Sequence, residues 1–276
     1  MAGTLYLVAT PIGNLGDLSP RALDILSSVD FIAAEDTRVT LKLLNHFAIK
    51  KPLVSYHQHN CLTAGPAVLE RLLAGESCAL VTDAGMPAIS DPGEDLVRLC
   101  AGQGVEVIAV PGCCALVCAL ALSGLPTGRF TVEGFLSTSR KARRQHLQSL
   151  VHEPRTMVFY EAPHKLNGTL TDLLEAFGDR PISLCRELSK LHEETIRTTL
   201  SQAVTLYAEN PPKGEFVLVV AGAAPAEETA ATLEEGVALV QSRREEGLRM
   251  KEAVREVAES TGLNKNELYA AVLKAE

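Results

Sequence analysis

Four short apolar runs in the first half of the chain each end in a turn that holds its most chemically useful residues. The turns are Pro11-Ile12-Gly13-Asn14, Glu35-Asp36-Thr37-Arg38, Asp83-Ala84-Gly85-Met86-Pro87 and Pro111-Gly112. Gly and Pro at such places let backbone amides and carbonyls come close to a ligand. Asp36 and Asp83 add carboxylates to the same edge. A carboxylate-bearing site walled by backbone repels a polyphosphate. It suits a ligand with positive charge or with many hydroxyl and amino groups.

The elements that must position these turns follow from the apolar pattern. Runs at Thr4–Ala9, Phe31–Ala34, Ala79–Thr82 and Val105–Val110 alternate with amphipathic stretches such as the one through Ala22, Leu23, Ile25, Leu26 and Val29. That rhythm predicts a mostly parallel sheet covered on both faces, an α/β fold with its ligand site beyond the carboxyl ends of the strands. After Leu125-Pro126-Thr127-Gly128 strands dominate, with helices expected only over 141–151 and 166–177. This predicts a second α/β domain with a mixed sheet. The expected division is an N-terminal α/β domain over 1–120, a second over 121–224, a linker over 223–232 and a small C-terminal helical domain over 233–276. In the last, segments 251–260 and 265–274 flank Thr261-Gly262-Leu263-Asn264, where Gly262 suits a helix end and Asn264 the next N-cap. That is helix-turn-helix spacing.

Bulk properties narrow the class less. An apolar fraction of 46% and a charged fraction of 22% are those of a globular protein. A net charge of −8 argues against a chain coated in basic residues. The longest apolar run, Cys113 to Leu122, is too short to span a bilayer. The start of the chain lacks the basic flank of a signal peptide. Seven cysteines without a CxxC pair read as small core residues in a reducing compartment. A cytoplasmic protein with no membrane partner is expected. No GxxxxGK[ST] and no GxGxxG after a strand occurs, which sets aside P-loop and ordinary dinucleotide folds.

Longer motifs go further. TPIGNLGDLSPRAL (10–23), AAEDTR (33–38), DAGMPAISDPG (83–93) and PGCCALVCALALSGLP (111–126) resemble, in order, the tetrapyrrole methylase superfamily. EGFL (133–136), FYEAPHKL (159–166), CRELSK (185–190), GEFVLVV (214–220) and GLNKNELYAAVL (262–273) narrow the resemblance to the branch that methylates small-subunit ribosomal RNA. The resemblance implies a two-domain tetrapyrrole methylase-like fold with S-adenosyl-L-methionine in the cleft between the α/β domains. It implies methyl transfer to the 2′-hydroxyl of a cytidine ribose in 16S rRNA near the decoding site, by a homodimer that needs no metal. A corrin methylase, or a non-catalytic RNA- or ribosome-binding protein on the same fold, are the alternatives.

By the same resemblance Pro11, Gly13 and Asn14 form a first cofactor loop. Asp83, Gly85, Met86 and Pro87 wrap the methionine part. Cys114 and Ala115 follow the Pro111-Gly112 turn, Glu161 and Ala162 flank the adenosine, and Gly214, Glu215 and Phe216 touch the adenine. Met86 stands where the family has a small residue, usually Thr. Cys113-Cys114 stands where it often has Pro-Ser, which replaces a hydroxyl with the weaker thiol donor. A ribose hydroxyl is a weak acid, so a base or a charge that stabilises the alkoxide helps. Asp36, Arg38, His57 and Glu187 are the candidates, with Arg186 beside them. His57 and His59 alternate on Ser55–Asn60, so both face one side if that segment is extended, but two histidines alone make no metal site. For RNA, Arg140, Lys141, Arg143 and Arg144 form the densest basic cluster. Residues 129–165 hold seven basic and three acidic side chains. The segment 226–276 holds seven and eleven, so its charge does not favour nucleic acid.

Overall fold

Strand β1 (Thr4–Val8) lies between two parallel neighbours, β4 (Cys78–Val81) and β5 (Glu106–Val110). With β2 (Phe31–Ala34) and β3 (Leu53–Ser55) they complete a five-stranded sheet of order β3-β2-β4-β1-β5, every pairing parallel. The computed structural model describes residues 2–209, 212–224 and 232–275. The strands β2 and β4 are buried along their whole length, as a sheet covered on both faces requires. Helices α1 (Pro20–Ser28) and α2 (Thr37–His46) supply Leu26 and Leu44 to one face, against Val8, Ile32 and Val81. Helices α3 (Cys61–Leu73) and α4 (Glu94–Gly102) supply Val68, Leu72, Leu96 and Cys100 to the other, against Leu5, Phe31 and Leu80.

This order creates a switch point. The chain leaves β1 leftward across β4 to reach β2, and leaves β4 rightward across β1 to reach β5. The loops after β1 and β4 therefore part in opposite directions and leave a crevice between them, the place where open α/β sheets hold ligands.

Helix α5 (Ala115–Ser123) is apolar on nearly all sides, and its Leu116, Ala119 and Leu120 pack on the second sheet against Val158, Cys185, Val217 and Val219. It lies across residue 120, where a domain boundary is expected from the sequence. The second sheet has the order β6-β7-β10-β8-β9: β6 (Phe130–Phe135), β7 (Thr156–Glu161), β8 (Pro181–Arg186), β9 (Glu194–Thr199) and β10 (Phe216–Val220). Only β6 and β7 run parallel; the other pairs are antiparallel. Along β10 the side chains alternate faces. Val217 and Val219 meet α5, while Phe216, Leu218 and Val220 meet α6 (Arg140–Ser149), α7 (Pro163–Phe177) and α8 (Leu200–Glu209) through Leu147, Leu170 and Ala203. Truncating a fully buried side chain such as Leu218 to Ala costs about 2–5 kcal/mol.

Residues 1–222 form one compact unit and 223–276 another. The second holds α9 (Leu233–Glu245), α10 (Met250–Thr261) and α11 (Lys265–Ala275) around Val240, Val254, Val257, Leu268 and Val272. Thr232 and Glu235 close a capping box at the start of α9, and Gly262 ends α10 in a left-handed conformation. Asn264 accepts the Asn266 and Glu267 amides at the start of α11. Of the linker expected over 223–232, residues 225–231 lie outside the described residues. No described helix is long and apolar enough to cross a membrane.

Candidate active site

The crevice is built by backbone before any side chain enters it. Thr10 and Gly85, one from each loop at the switch point, exchange amide-to-carbonyl hydrogen bonds at 2.9 and 3.0 Å. Thr10 Oγ1 donates to the Thr82 carbonyl at 3.1 Å. Gly85 takes φ +93°, a value that side-chain-bearing residues rarely adopt. Beyond it the 83–93 loop folds back, with Ala88 at φ 65° and Ser90 at φ 62°, closed by the Ala88 amide donating to the Pro92 carbonyl. Positive φ at residues with a Cβ is backbone strain of the kind that collects at functional loops.

Above these loops lies a cleft of about 500 Å³, within the range of small-molecule sites. Ile12, Met86 and Ile89 line it from the first sheet, Cys114 and Ala115 from the start of α5. Phe135, Tyr160, Ala162, Leu188, Phe216 and Val217 close it from the second sheet. The rings of Phe135 and Tyr160 stack at 5.3 Å. The wall is thus mostly apolar, with polarity concentrated in one place.

That place is acidic. Glu35, Asp83 and Asp91 all line the cleft. Burial raises the Glu35 and Asp83 carboxyls above the ordinary range, and neighbouring carboxylates add to it. Burial, with the charges of Glu35 and Asp83, pushes Asp91 up to about 6. Asp83 Oδ1 accepts the Asp36 amide at 3.1 Å. Three desolvated carboxyls gathered beside an apolar wall fit a ligand with a cationic end and a flat apolar end. Among the described residues, no group of three or more His, Cys, Asp or Glu is placed to hold a metal ion.

The residues expected from the sequence fall into several groups. Asp83, Gly85, Met86, Cys114, Ala115, Glu161, Ala162, Glu215 and Phe216 line the cleft. Pro11, Gly13, Asn14, Pro87 and Gly214 stand beside it and shape the loops. Asn14 caps a short turn by accepting the Gly16 amide. A Cβ on Gly13 would fall 2.3 Å from Lys190 Cγ, so this glycine lets the two loops meet. Glu161 is buried with its carboxylate engaged: it accepts the Ala162 amide at 2.8 Å and the Thr169 hydroxyl at 2.5 Å, and faces Lys165 Nζ at 3.3 Å.

The proposed acid–base residues are mostly committed to one another. Asp36 caps α2 through the Arg38 amide and pairs with the exposed Arg38 guanidinium at 2.6 Å, which holds its carboxyl well below the ordinary range. Glu187 accepts Lys190 Nζ and the Glu215 amide, each at 2.9 Å, and these donors lower its pKa. Burial works against the charge on Lys190, but Glu187 and Glu215 outweigh it and raise its pKa. Arg186 pairs with Glu194 at 3.1 Å rather than with Glu187. His57 is half-buried outside the cleft wall, and its Nδ1 has no hydrogen-bond partner among the described residues.

The basic cluster is similarly divided. Arg143 is largely buried, donating to Asp172 Oδ2 at 2.7 Å and to the Ser137 carbonyl at 3.2 Å. Arg144 pairs with Asp172 and Glu175. Arg140 is exposed, 3.8 Å from Asp172, and Lys141 is exposed. Glu35, Asp91, Tyr160 and Lys190 were not singled out from sequence. Glu35 and Asp91 do sit inside AAEDTR (33–38) and DAGMPAISDPG (83–93), but their meeting depends on the β2–β4 register, which pairs Ala34 with Val81.

The family model for tetrapyrrole (corrin/porphyrin) methylases matches residues 4–204, and that of the RsmI C-terminal HTH domain matches residues 230–276. The curated ribosomal RNA small subunit methyltransferase I of Synechocystis sp. is 50% identical over 275 residues, covering 99% of each chain. Its namesake in Halalkalibacterium halodurans is 48% identical, covering 97% of this chain and 93% of its own. That of Pseudomonas aeruginosa is 45% identical, covering 99% and 98%. Among solved structures, a uroporphyrin-III-C-methyltransferase from Thermus thermophilus aligns with a TM-score of 0.54 at 23% identity, over 79% of this chain and 94% of that one. Cobalt precorrin-4 methyltransferase aligns at 0.58 and 17% identity, over 79% and 94%. At those identities the structural likeness speaks to the fold alone. By near-full-length identities of 45 to 50% to curated relatives, the chain belongs to the tetrapyrrole (corrin/porphyrin) methylases and, within them, to the ribosomal RNA small subunit methyltransferase I family.

Proposed function

We propose that this protein uses S-adenosyl-L-methionine to methylate the 2′-hydroxyl of a cytidine ribose in 16S rRNA, near the decoding site of the small ribosomal subunit. The observation that carries the reading is the near-full-length likeness to curated small-subunit rRNA methyltransferases. The cleft agrees in character, because an acidic end and an apolar end match a cationic amino acid joined to a nucleoside. Glu35 and Asp83 would face the cationic end, with the backbone of 83–87 beside it. Phe216, Val217 and Leu188 would flank the base. When bound, the cofactor supplies an electrophilic methyl group on a positively charged sulfur.

The chain's own contribution is alignment and shielding. Holding an acceptor oxygen in line with a reactive carbon supplies much of the acceleration such a transfer needs. The Thr10–Gly85 bridge and the Glu187–Lys190–Glu215 contacts fix the two walls against which that alignment is set. Arg140 and Lys141, exposed on α6, are available to RNA phosphates, with Arg129 exposed just before β6. Arg143 and Arg144 support that face through Asp172. The working protein is a cytoplasmic homodimer.

The test supplies methyl-labelled S-adenosylmethionine and small ribosomal subunits from a strain lacking the modification. Label in alkali-stable 2′-O-methylcytidine of 16S rRNA is the expected result. Tight cofactor binding with no transfer to RNA would overturn the reading.

A further inference from the structure

We propose that Asp91 is the base that accepts the proton of the acceptor hydroxyl. The proposal rests on the reading of the cleft as a site of methyl transfer to a hydroxyl group. Among the described carboxylates of the cleft, Asp91 is the one left without a donor. Asp83 accepts the Asp36 amide, and Glu161 is occupied by the Ala162 amide, Thr169 and Lys165. Glu215 takes Lys190 Nζ at 2.9 Å. Glu35 accepts only the Asp83 amide, at 3.5 Å. Among the described residues, none donates a hydrogen bond to Asp91 and no cation lies within ion-pair distance of it, although it lines the cleft.

Its position is also held at a cost. Ala88 and Ser90, just before it, both take positive φ, and the Ala88 amide closes the loop on the Pro92 carbonyl. The loop spends that strain to set Asp91 in the wall. Charged and titratable groups face it from each side: Glu35 after β2, Asp83 after β4, and Tyr160 of β7, whose own pKa Asp91 helps raise. A carboxyl poised at about 6 is ionised at neutral pH yet basic enough to accept a proton in the transition state.

The hydroxyl O–H bond breaks and its proton passes to a carboxylate oxygen of Asp91. The hydroxyl oxygen forms a bond to the methyl carbon while the carbon–sulfur bond breaks, its electron pair staying on sulfur and cancelling the positive charge there. The Asp91 carboxyl then loses the proton to water.

The experiment compares wild type with Asp91→Asn in single-turnover methylation of small ribosomal subunits from pH 5.5 to 9. Cofactor affinity is measured by calorimetry and subunit affinity by filter binding. The expected result is a rate lower by roughly 10²–10⁴-fold with both affinities within about threefold, and loss of the acid limb near pH 6. An unchanged rate in an active protein, or a retained limb, would overturn the proposal while leaving the methyltransferase reading intact. A fall in cofactor affinity as large as the fall in rate would also overturn it, and would make Asp91 a counter-ion instead. A carbon-13 titration of the Asp91 carboxyl in the free protein gives a readout independent of turnover. A midpoint near 6 is expected, and one near 4 would sink the idea whatever the activity.

Discussion

A Cβ added to Gly214 would stand 2.5 Å from Cγ of Glu187 and 2.6 Å from its Cδ. Glu187 cannot easily yield, because Lys190 and the Glu215 amide both hold its carboxylate. Gly214 also has φ +83°. Gly214→Ala therefore combines left-handed backbone strain of about 1–2 kcal/mol with overpacking of about 1–3 kcal/mol. We expect a loss of roughly 2–5 kcal/mol in urea unfolding and weaker cofactor binding, because Glu215 and Phe216 follow directly in the cleft wall. A variant with the wild-type midpoint would show that the 187–190 loop moves aside freely.

The Gly214 turn and the strand after it were readable from sequence, because a glycine opening an unbroken apolar run has few other meanings. The same holds for the strand-end turns of the first sheet and for the helix-turn-helix spacing around Gly262. Strand β3 and the helices α3 and α4 were less legible. Leu53–Ser55 is too short to show a period, and α3 carries Pro66 within it. What composition could not convey was the partner of each charge. The seven basic residues of 129–165 look like an RNA-binding stretch until α7 brings Asp172 and Glu175 against Arg143 and Arg144. Likewise, Glu35, Asp83 and Asp91 become one cluster only through strand order, with β2 and β4 paired.

That division predicts unlike outcomes within a single helix. The Asp172 side chain is 3% exposed, and Arg143 is its best-placed donor. Arg143→Ala should destabilise the protein by on the order of 3 kcal/mol, since a buried carboxylate loses its main partner. Lys141→Glu should leave thermal unfolding unchanged but weaken binding to ribosomal subunits and flatten its salt dependence. Equal melting-temperature losses in both variants would contradict this assignment.

The cleft carboxyls make a prediction about stability and pH. Asp91 keeps its proton to about 6 in the folded protein but only to the ordinary aspartate value of 3.8 once unfolded. The folded state thus binds more protons between those values, and stability falls as pH rises through that window. Asp91→Asn removes the penalty. The variant should be more stable than wild type at pH 7.5, with solvent screening at this half-buried position keeping the gain to about 1 kcal/mol. Below about pH 4 both states of the wild type are protonated and the gain should vanish. Calorimetric melting of both proteins between pH 3.5 and 7.5 checks this, and a gain that grew toward low pH would refute it.

Cys114 offers a gain at the other end of the cleft. It occupies the N-cap of α5 with φ −149° and ψ 106°, the extended geometry of a capping residue, yet its side chain makes no capping hydrogen bond. A serine hydroxyl there can accept the amide of Leu116 or Val117, a bond for which a thiol is a poor substitute. Cys114→Ser should stabilise the protein by about 1 kcal/mol, read as a higher urea midpoint with an unchanged slope. Because Cys114 also lines the cleft, the new hydroxyl stands where a bound cofactor can use it. The two uses compete for one oxygen. If the helix claims it, stability rises and cofactor affinity stays within about twofold. If the ligand claims it in the complex, affinity rises by up to about tenfold, the worth of one hydrogen bond. Neither a stability gain nor an affinity gain would show that the start of α5 is already satisfied by solvent, and that its thiol serves only to pack against the second sheet.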